Sequence, residues 1–315
     1  MKITLHIGAP RTGSTSIQQT FDAIYVDSDN AIFISPRQRR NKLESLLCDF
    51  CHIPNFQTIQ RLHAGKVLKA IQSLPKKIDH LIISEENIAG KMLGLADRQF
   101  ARAKAYNTLL RVLSQHHQCK TVIFVREHMD YIKSCYKFRV ERGYKYPLTD
   151  FVNSLELQAL SWIHSIKHIS PDHLTIVDFD SFFNNAKFDK SSLPFPFGEH
   201  INKKSNASFA SPFRLEFLRQ YALLTDSHLD DAWRIRQYLS AKKGGIARAC
   251  KHIYSDSPVF DECFQNTIQE KEKRFPSFRL PNSVLHSLKH TASEDVSALS
   301  SMTNAFGDFE GWLRQ

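Results

Sequence analysis

Apolar residues along the first 180 positions alternate between short continuous runs and longer stretches of helical spacing. The short runs are rich in Val, Ile and Leu, and they predict strands at residues 2–8, 31–35, 80–84, 120–127 and 174–180. The longer stretches predict helices at residues 14–24, 57–74, 97–117, 129–143 and 149–170. Continuous apolar strands separated by helices are typical of a parallel sheet with both faces covered. The sequence therefore predicts an α/β fold with a central parallel sheet flanked by helices.

The pattern changes after the last of these strands. Residues 184–212 hold clustered Asn, Lys, Ser and Pro, which predict a long loop. From Phe213 onward the spacing is helical again, as in "FRLEFLRQYALL". We therefore predict an α/β core over residues 1–210 and a helical C-terminal extension over residues 211–315, packed on the core within a single structural domain.

Composition narrows the class of protein. Hydrophobic residues make up 42% of the 315 positions and include 23 Phe, which excludes a largely disordered chain. The formal net charge of +10 favours an anionic partner, such as a phosphorylated or sulfated ligand or an acidic polymer. No basic stripe interleaved with aromatic residues is present, so the sequence predicts no nucleic-acid partner.

The N-terminal residues "MKITLHIG" lead directly into the first strand and lack the features of a signal peptide. No apolar stretch approaches the length of about 18 residues that a membrane-spanning helix requires. We expect a cytoplasmic protein without stable membrane insertion, whose six cysteines are reduced. The string "CDFCH" at 48–52 has no second cysteine pair to complete a zinc set, and no metal site is predicted.

Between the first predicted strand and helix lies the loop "GAPRTGST". Gly8 and Gly13 have the spacing of the nucleotide-binding P-loop, but Ser14 stands where that motif has Lys. A loop that leads into a helix N-terminus binds anions through free N–H groups and the positive end of the helix dipole. Arg11 adds a positive charge, and hydroxyl groups follow at Ser14, Thr15 and Ser16. The loss of the Lys together with the gain of Arg11 indicates an anion of smaller charge, bound without a metal.

A second motif follows the strand at 120–127. Arg126 ends this strand, and Ser134 lies eight residues later in the next predicted helix. An Arg in such a position can bind a phosphate through two parallel N–H bonds. Ligands of parallel sheets bind beyond the carboxyl ends of the strands, so the loop, Ser84–Asn87 and Arg126 are expected at one edge.

Together, "PRTGSTS" at 10–16 and "VREHMDYIKS" at 125–134 resemble the motifs of the PAPS-dependent sulfotransferases, where PAPS is 3′-phosphoadenosine 5′-phosphosulfate. The likeness is greatest to bacterial, carbohydrate-directed members. In that family a phosphosulfate loop follows the first strand, and a strand ending in Arg with a Ser eight residues on binds the 3′-phosphate. The resemblance implies a P-loop NTPase-like sulfotransferase fold over about residues 1–210, with PAPS as donor, adenosine 3′,5′-bisphosphate (PAP) as product and no metal. It assigns cofactor binding to Arg11, Thr12, Gly13, Ser14, Thr15, Ser16, Arg126 and Ser134.

One residue departs from the family pattern. Arg11 stands where the phosphosulfate loop usually has Lys. Because the pKa of Arg is too high for proton transfer, Arg11 is expected to act catalytically by stabilising the charge that develops on the leaving phosphate.

The acceptor hydroxyl must lose a proton as it attacks sulfur, and a carboxylate is a suitable base. Glu85 and Glu86 follow the predicted strand at 80–84, and neighbours in an extended segment face opposite ways, so one of them can serve. Some bacterial relatives carry a Ser-x-Glu-Asn string that matches Ser84, Glu86 and Asn87, which favours Glu86. The alternative is that the pair caps the next helix or holds Arg11 or Arg126 in place.

These features predict an O-sulfotransferase whose acceptor is a sugar hydroxyl on a glycan or glycolipid. Residues 202–212 and 242–245 are two alternative loops that could close over the cofactor. A P-loop kinase that uses Mg-ATP and a non-catalytic protein that binds an anion or nucleic acid are the alternative functions.

Overall fold

The computed structural model describes residues 1–25, 28–35, 41–54, 56–95, 100–156, 160–184, 188–189, 193, 212–225 and 258–314. The chain divides into two compact units. The first comprises residues 1–131, 156–207 and 288–315, and the second comprises residues 132–155 and 208–287.

The first unit is built on a six-stranded sheet. Its strands are β1 (Lys2–His6), β2 (Ala31–Ile34), β3 (His80–Ser84), β4 (Gln118–Val125), β5 (Leu174–Asp178) and β6 (Ala305–Phe306). They lie in the order β2-β3-β1-β4-β5-β6, and every neighbouring pair is parallel. The predicted α/β fold with a central parallel sheet is therefore confirmed.

Helices of the first unit flank this sheet. In chain order, the helices of the described residues are α1 (Ser14–Tyr25), α2 (Lys42–Phe50), α3 (Gln57–Gln72), α4 (Ala103–Ser114), α5 (His128–Val140), α6 (Leu148–Asn153), α7 (Trp162–Ile166), α8 (Phe179–Asn184), α9 (Pro212–Thr225), α10 (Pro258–Glu272) and α11 (Asn282–Ser300). Helices α6, α9 and α10 belong to the second unit. Short 3-10 helices lie at Pro171–His173, Pro276–Phe278 and Phe309–Arg314.

Strand β4 shows how one apolar run serves both faces of the sheet. Val122 and Phe124 point to the face that α1 and α8 cover, where they join a buried cluster with Ile17, Phe21 and Phe182. On the opposite face Thr121 shares a hydrogen bond of 2.6 Å with the hydroxyl of Tyr106 in α4. Because side chains of a strand alternate between the two faces, a buried parallel strand must be apolar on both.

The C-terminal residues belong to the first unit, which differs from the predicted division at residue 210. Strand β6 extends the sheet beside β5, and the amide of Ile176 donates to the carbonyl of Asn304 at 2.9 Å. The indole of Trp312 donates to buried Asp178 at the end of β5, at 3.0 Å. A strand of two residues has no periodicity that the sequence could reveal, so the prediction included it in the helical extension.

The helix predicted over 149–170 is also divided in the structure. Helix α6 ends at Asn153, and α7 begins only after Ser161, whose hydroxyl accepts from the amide of His164 at 3.0 Å. Leu155 lies between the two helices and is buried although it belongs to neither. Its position continues the helical spacing of apolar residues, which is why the sequence predicted one helix. Helix α2 was not predicted, and Asn41 caps its first turn through the amide of Glu44.

The second unit is helical around a buried ion pair. Glu216 in α9 is fully buried and accepts two hydrogen bonds from Arg219, at 3.0 and 2.6 Å. Ser277 also donates to Glu216, and Arg219 donates to the carbonyl of Lys145. These contacts satisfy both charges, which is the condition for burying an ion pair without a large penalty.

Among the described residues, no helix is long and apolar enough to cross a bilayer. No group of three His, Cys, Asp or Glu side chains among them could hold a metal ion. The five cysteines in this part of the chain (48, 51, 119, 135 and 263) are free thiols.

Candidate functional site

Residues 7–13 form the loop that joins β1 to α1. Its first half continues to pair with β4 beyond the end of β1. The amides of Ile7 and Ala9 donate to Val122 and Phe124 at 3.1 and 3.0 Å, and the amide of Phe124 donates to the carbonyl of Gly8 at 2.7 Å. The loop is therefore fixed along the neighbouring strand before it turns into the helix.

The order of the strands places this loop at a switch point of the sheet. The chain leaves β1 toward β2 on one side, whereas it leaves β4 toward β5 on the other side. Connections that diverge from two adjacent strands open a crevice at their carboxyl ends, which is where ligands of such sheets bind. The loop after β1 and Arg126 after β4 border this crevice.

Two hydroxyl groups of the loop stabilise the loop itself. The side chain of Thr12 is buried and donates to the carbonyl of Ala9 at 2.5 Å, and Ser14 donates to the same carbonyl at 3.3 Å. Helix α1 begins at Ser14, so the amides of its first turn have no acceptor within the helix. The donors that the loop offers to an anion are thus mainly these backbone N–H groups, to which Thr15 and Ser16 contribute.

Gly13 lies where a side chain would not fit. Its φ is +81°, and a Cβ atom built on it would lie 2.7 Å from Phe183 and 2.9 Å from Phe179. The two rings of α8 pack directly on the backbone of the loop. Glycine is therefore required here both for the backbone conformation and for the close approach of the rings.

Replacing Gly13 by Ala is expected to destabilise the protein by roughly 2 kcal/mol or more. The new residue would have to adopt the left-handed backbone conformation, and its Cβ would overlap with the two Phe rings. Urea unfolding of the variant should show a lower midpoint at an unchanged slope. Gly65, in the middle of α3, has no atom within 4 Å of a built Cβ. The matched control Gly65→Ala should raise stability by about 0.5–1 kcal/mol. Equal stability of Gly13→Ala and the native chain would contradict the packing described.

Arg126 lies close to the loop through a shared neighbour. Its guanidinium carbon is 5.0 Å from the centre of the Phe179 ring, the same ring that packs on Gly13. A guanidinium above an aromatic face gains a cation–π attraction, which fixes its plane. The loop and the strand-end Arg, which the sequence singled out as two motifs, therefore both pack against the ring of Phe179.

Two carboxylates also hold Arg126. Its Nη2 donates to Asp130 at 3.2 Å, and its Nε lies 3.5 Å from Asp180. Its side chain is about 20% exposed. The two carboxylates partly offset the positive charge of Arg126 and orient its planar group, so a bound anion must compete with them for N–H donors.

The backbone of Arg126 is held by a buried network. The indole of Trp162 donates to the carbonyl of Arg126 at 2.8 Å. The carboxylate of Asp295 in α11 accepts from the amide of Trp162 at 2.6 Å, from Ser161 at 2.7 Å and from His128 at 2.9 Å. Asp295 thus joins the starts of α5 and α7 next to the site. Sequence analysis missed it because one Asp in an amphipathic C-terminal helix gives no local signal.

The two glutamates after β3 have different environments. Glu85 is buried, and its carboxylate accepts from both the backbone amide and the side-chain amide of Asn87, at 2.9 and 3.0 Å. Glu86 is half-buried, and its Cβ lies 3.3 Å from the Cβ position built on Gly8. Glu85 therefore stabilises the turn, whereas Glu86 lies against the anion loop.

His6 occupies the end of β1 beneath the loop. It is fully buried, and its Nδ1 shares a hydrogen bond of 2.7 Å with Ser84, which also accepts from Gln18. Burial lowers the pKa of His6 to about 3. The imidazole is consequently neutral at physiological pH, and its role is to hold β1 to β3.

The lowered pKa of His6 predicts a pH dependence of stability. Between pH 3 and the unfolded pKa of about 6.5, the unfolded chain binds one proton more than the native protein. The neutral, buried His6 therefore contributes to the free energy of unfolding. That contribution is complete above this pH range and is lost as the pH falls through it, at up to about 1.4 kcal/mol per pH unit. When the free energy of unfolding is measured by chemical denaturation between pH 7 and 4, it should fall less steeply with falling pH in His6→Gln than in the native protein. Identical slopes in the two proteins would contradict the assignment.

The other predicted residues have the following places. Arg11 is half-buried in the loop with a φ of +70°, and Thr15 is half-buried in the first turn of α1. Ser134 lies in α5, in the stretch of that helix that belongs to the second unit. Residues 202–211 of one predicted closing loop, and all of 242–245, lie outside the described residues.

Comparison of the chain with family models, with curated proteins and with solved structures finds no match.

Proposed function

We propose that this chain is an O-sulfotransferase that transfers the sulfuryl group of PAPS to an acceptor hydroxyl, with a sugar hydroxyl as the acceptor class. The observation that carries the proposal is the packing of the loop and Arg126 on one ring, Phe179, at the switch point of the sheet. A donor with two anionic groups, on the 5′ and 3′ positions of one ribose, needs two such anion sites at one edge. A single P-loop would account for only one of them.

The reaction is an in-line displacement. The acceptor oxygen forms a bond to sulfur while the bond between sulfur and the 5′-phosphate oxygen breaks, and PAP leaves. Glu86 takes the acceptor proton. The match to Ser-x-Glu-Asn favours it, and its Cβ lies 3.3 Å from the Cβ position built on Gly8 of the loop. The N–H groups at the start of α1, together with Arg11, stabilise the negative charge that accumulates on the departing phosphate.

Arg126 is assigned to the 3′-phosphate by its resemblance to the strand-end Arg of the family motif. The fork of the guanidinium suits a terminal phosphate, which can accept two parallel bonds. Asp180 and the ring of Phe179 keep this fork in one orientation before the ligand arrives, whereas Asp130 competes with the ligand for the Nη2 donor. Such preorganisation lowers the entropic cost of binding.

The proposal requires no metal, because a transferred sulfuryl group carries less negative charge than a phosphoryl group. Phosphoryl transfer from ATP normally uses a loop Lys and Mg²⁺ to neutralise that larger charge. In this chain the Lys position is Ser14, whose hydroxyl donates to the carbonyl of Ala9. A sulfotransferase is therefore favoured over a kinase.

Transfer of labelled sulfate tests the proposed activity. The full chain is incubated with PAPS carrying radioactive sulfur and a panel of oligosaccharides, glycolipids and simple alcohols. In parallel it receives labelled ATP with Mg²⁺. We expect sulfate incorporation into at least one sugar acceptor and release of an equal amount of PAP. Phosphate transfer from ATP without any turnover of PAPS would overturn the proposal.

A further inference from the structure

Helices α3 and α4 pack against each other in the first unit, and their exposed charged side chains are all basic. Neither residues 56–78 nor residues 100–126 contain a single Asp or Glu. The exposed basic side chains of the two helices are Arg61, Lys66, Lys69, Lys104 and Arg111. We call this the α3–α4 surface. Without acids among the basic groups, the surface attracts anions as a whole.

The same surface exposes large apolar side chains at the start of α3. Phe56 is 67% exposed, Leu62 is 65% exposed and Ile59 is 39% exposed. These residues are additional to the buried face of the helix, which is formed by Gln60, Ala64, Val67, Ala70 and Ile71. The three apolar side chains thus lie within about two turns of one another, beside Arg61 and Lys66.

This combination distinguishes between anionic partners. A sulfated polysaccharide or a nucleic acid would neutralise the basic side chains but would offer no apolar phase for Leu62 and Ile59. A second copy of the chain would present the same positive charge and be repelled. A bilayer surface with anionic lipids offers both, since interfacial helices bury apolar side chains at the headgroup level while their basic residues contact lipid phosphates.

We propose that the α3–α4 surface docks onto an anionic lipid surface. Phe56, Ile59 and Leu62 enter the headgroup region, and the basic side chains of both helices bind the surrounding phosphates and carboxylates. The docking is peripheral and reversible, as expected for an interfacial helix. It is independent of the proposed sulfuryl transfer, because no residue assigned to that reaction lies on this surface.

Vesicle flotation of the full chain tests the proposal directly. Vesicles of phosphatidylcholine alone are compared with vesicles that also contain phosphatidylserine, at low and high salt. We expect binding only to the vesicles with phosphatidylserine, and weaker binding at high salt. Each basic residue near an anionic surface contributes roughly fivefold, so Lys66→Glu/Lys69→Glu should weaken binding at least about tenfold.

Two matched controls distinguish docking through the α3–α4 surface from effects of the protein's total charge and of exposed apolar residues elsewhere. Lys271→Glu/Lys289→Glu changes the net charge equally at exposed positions of α10 and α11, and it should bind with at least half the native affinity. Phe56→Ser/Leu62→Ser should lose most of the binding that persists at high salt. Leu313→Ser, which removes another exposed side chain, should not. Thermal melts confirm that each variant is folded.

The proposal is overturned by any of three results. One is equal binding to the two kinds of vesicle, and another is equal loss of binding in the two pairs of charge reversals. The third is binding to heparin or to a DNA duplex that depends on Lys66 and Lys69, without binding to vesicles. That last outcome would assign the surface to an acidic polymer.

Discussion

Replacing Glu86 by Gln is expected to abolish sulfate transfer while leaving cofactor binding intact. The substitution keeps the size and hydrogen-bonding geometry of the side chain but removes its ability to accept a proton. Loss of a general base typically costs between about 10²- and 10⁴-fold in rate. Single-turnover transfer from PAPS, measured together with the thermal stabilisation by PAP, separates the chemical step from binding.

Glu85→Gln provides the matched control, since it makes the same chemical change one residue earlier. Its carboxylate accepts from Asn87 and lies away from solvent, so the amide oxygen of Gln can keep that contact. This variant should retain transfer activity within a few-fold of the native rate. Full activity in Glu86→Gln would remove Glu86 from the mechanism, and loss of activity in Glu85→Gln alone would reassign the base.

Replacing Arg126 by Ala is expected to weaken the binding of PAP strongly. The variant loses a charge-assisted contact, and it also leaves Asp130 and Asp180 facing the phosphate without their counter-ion. A charge-assisted bond of this kind contributes about 1.5–3 kcal/mol, so the Kd measured by calorimetry should rise by roughly a hundredfold or more. Arg126→Lys should recover only part of the affinity, because an ammonium group cannot form two parallel bonds.

Asp130→Asn tests the same assignment of Arg126, but here the affinity for PAP is expected to rise. Without the Asp130 carboxylate, less of the charge of Arg126 is offset, although Asp180 remains, so PAP should bind more tightly than to the native protein. Arg279→Ala, at an exposed position of the second unit, controls for the loss of one positive charge and should bind normally. Normal PAP binding by Arg126→Ala would show that the 3′-phosphate is bound elsewhere.

Much of the first unit was predictable because its strands are buried on both faces. The strands β1, β3, β4 and β5 are almost entirely buried and rich in Val, Ile and Leu, as is typical of a parallel sheet covered on both faces. The loop after β1 could be located for the same reason, since its glycines mark the end of such a run. Strand β6 was missed because it contains only two residues.

The environment of Arg126 shows which contacts the sequence can predict and which it cannot. Asp130 lies four residues later, a spacing at which oppositely charged side chains on a helix meet, so this contact was accessible from the sequence. Asp180 and Asp295 reach the site from distant segments through the packing of α8 and α11. Only the fold brings these carboxylates together with Arg126.

The two glutamates illustrate a finer limit. Their order in the sequence shows that one faces the crevice and one does not, but it does not show which. The contact between Glu85 and Asn87 is a local turn whose geometry depends on how the chain leaves β3. The match to Ser-x-Glu-Asn favours Glu86, and its role as the base stays a prediction.

The central claim is that the loop after β1 and Arg126 form one site for a nucleoside bisphosphate. Thermal unfolding of the native chain with PAP, with Mg-ATP and with an oligonucleotide, at matched ionic strength, tests it most directly. Binding at a hundred times the Kd stabilises a protein by about 2.7 kcal/mol, which is readily seen as a shift in Tm. We predict a clear upward shift with PAP alone. A shift with Mg-ATP or with the oligonucleotide, and none with PAP, would contradict the account.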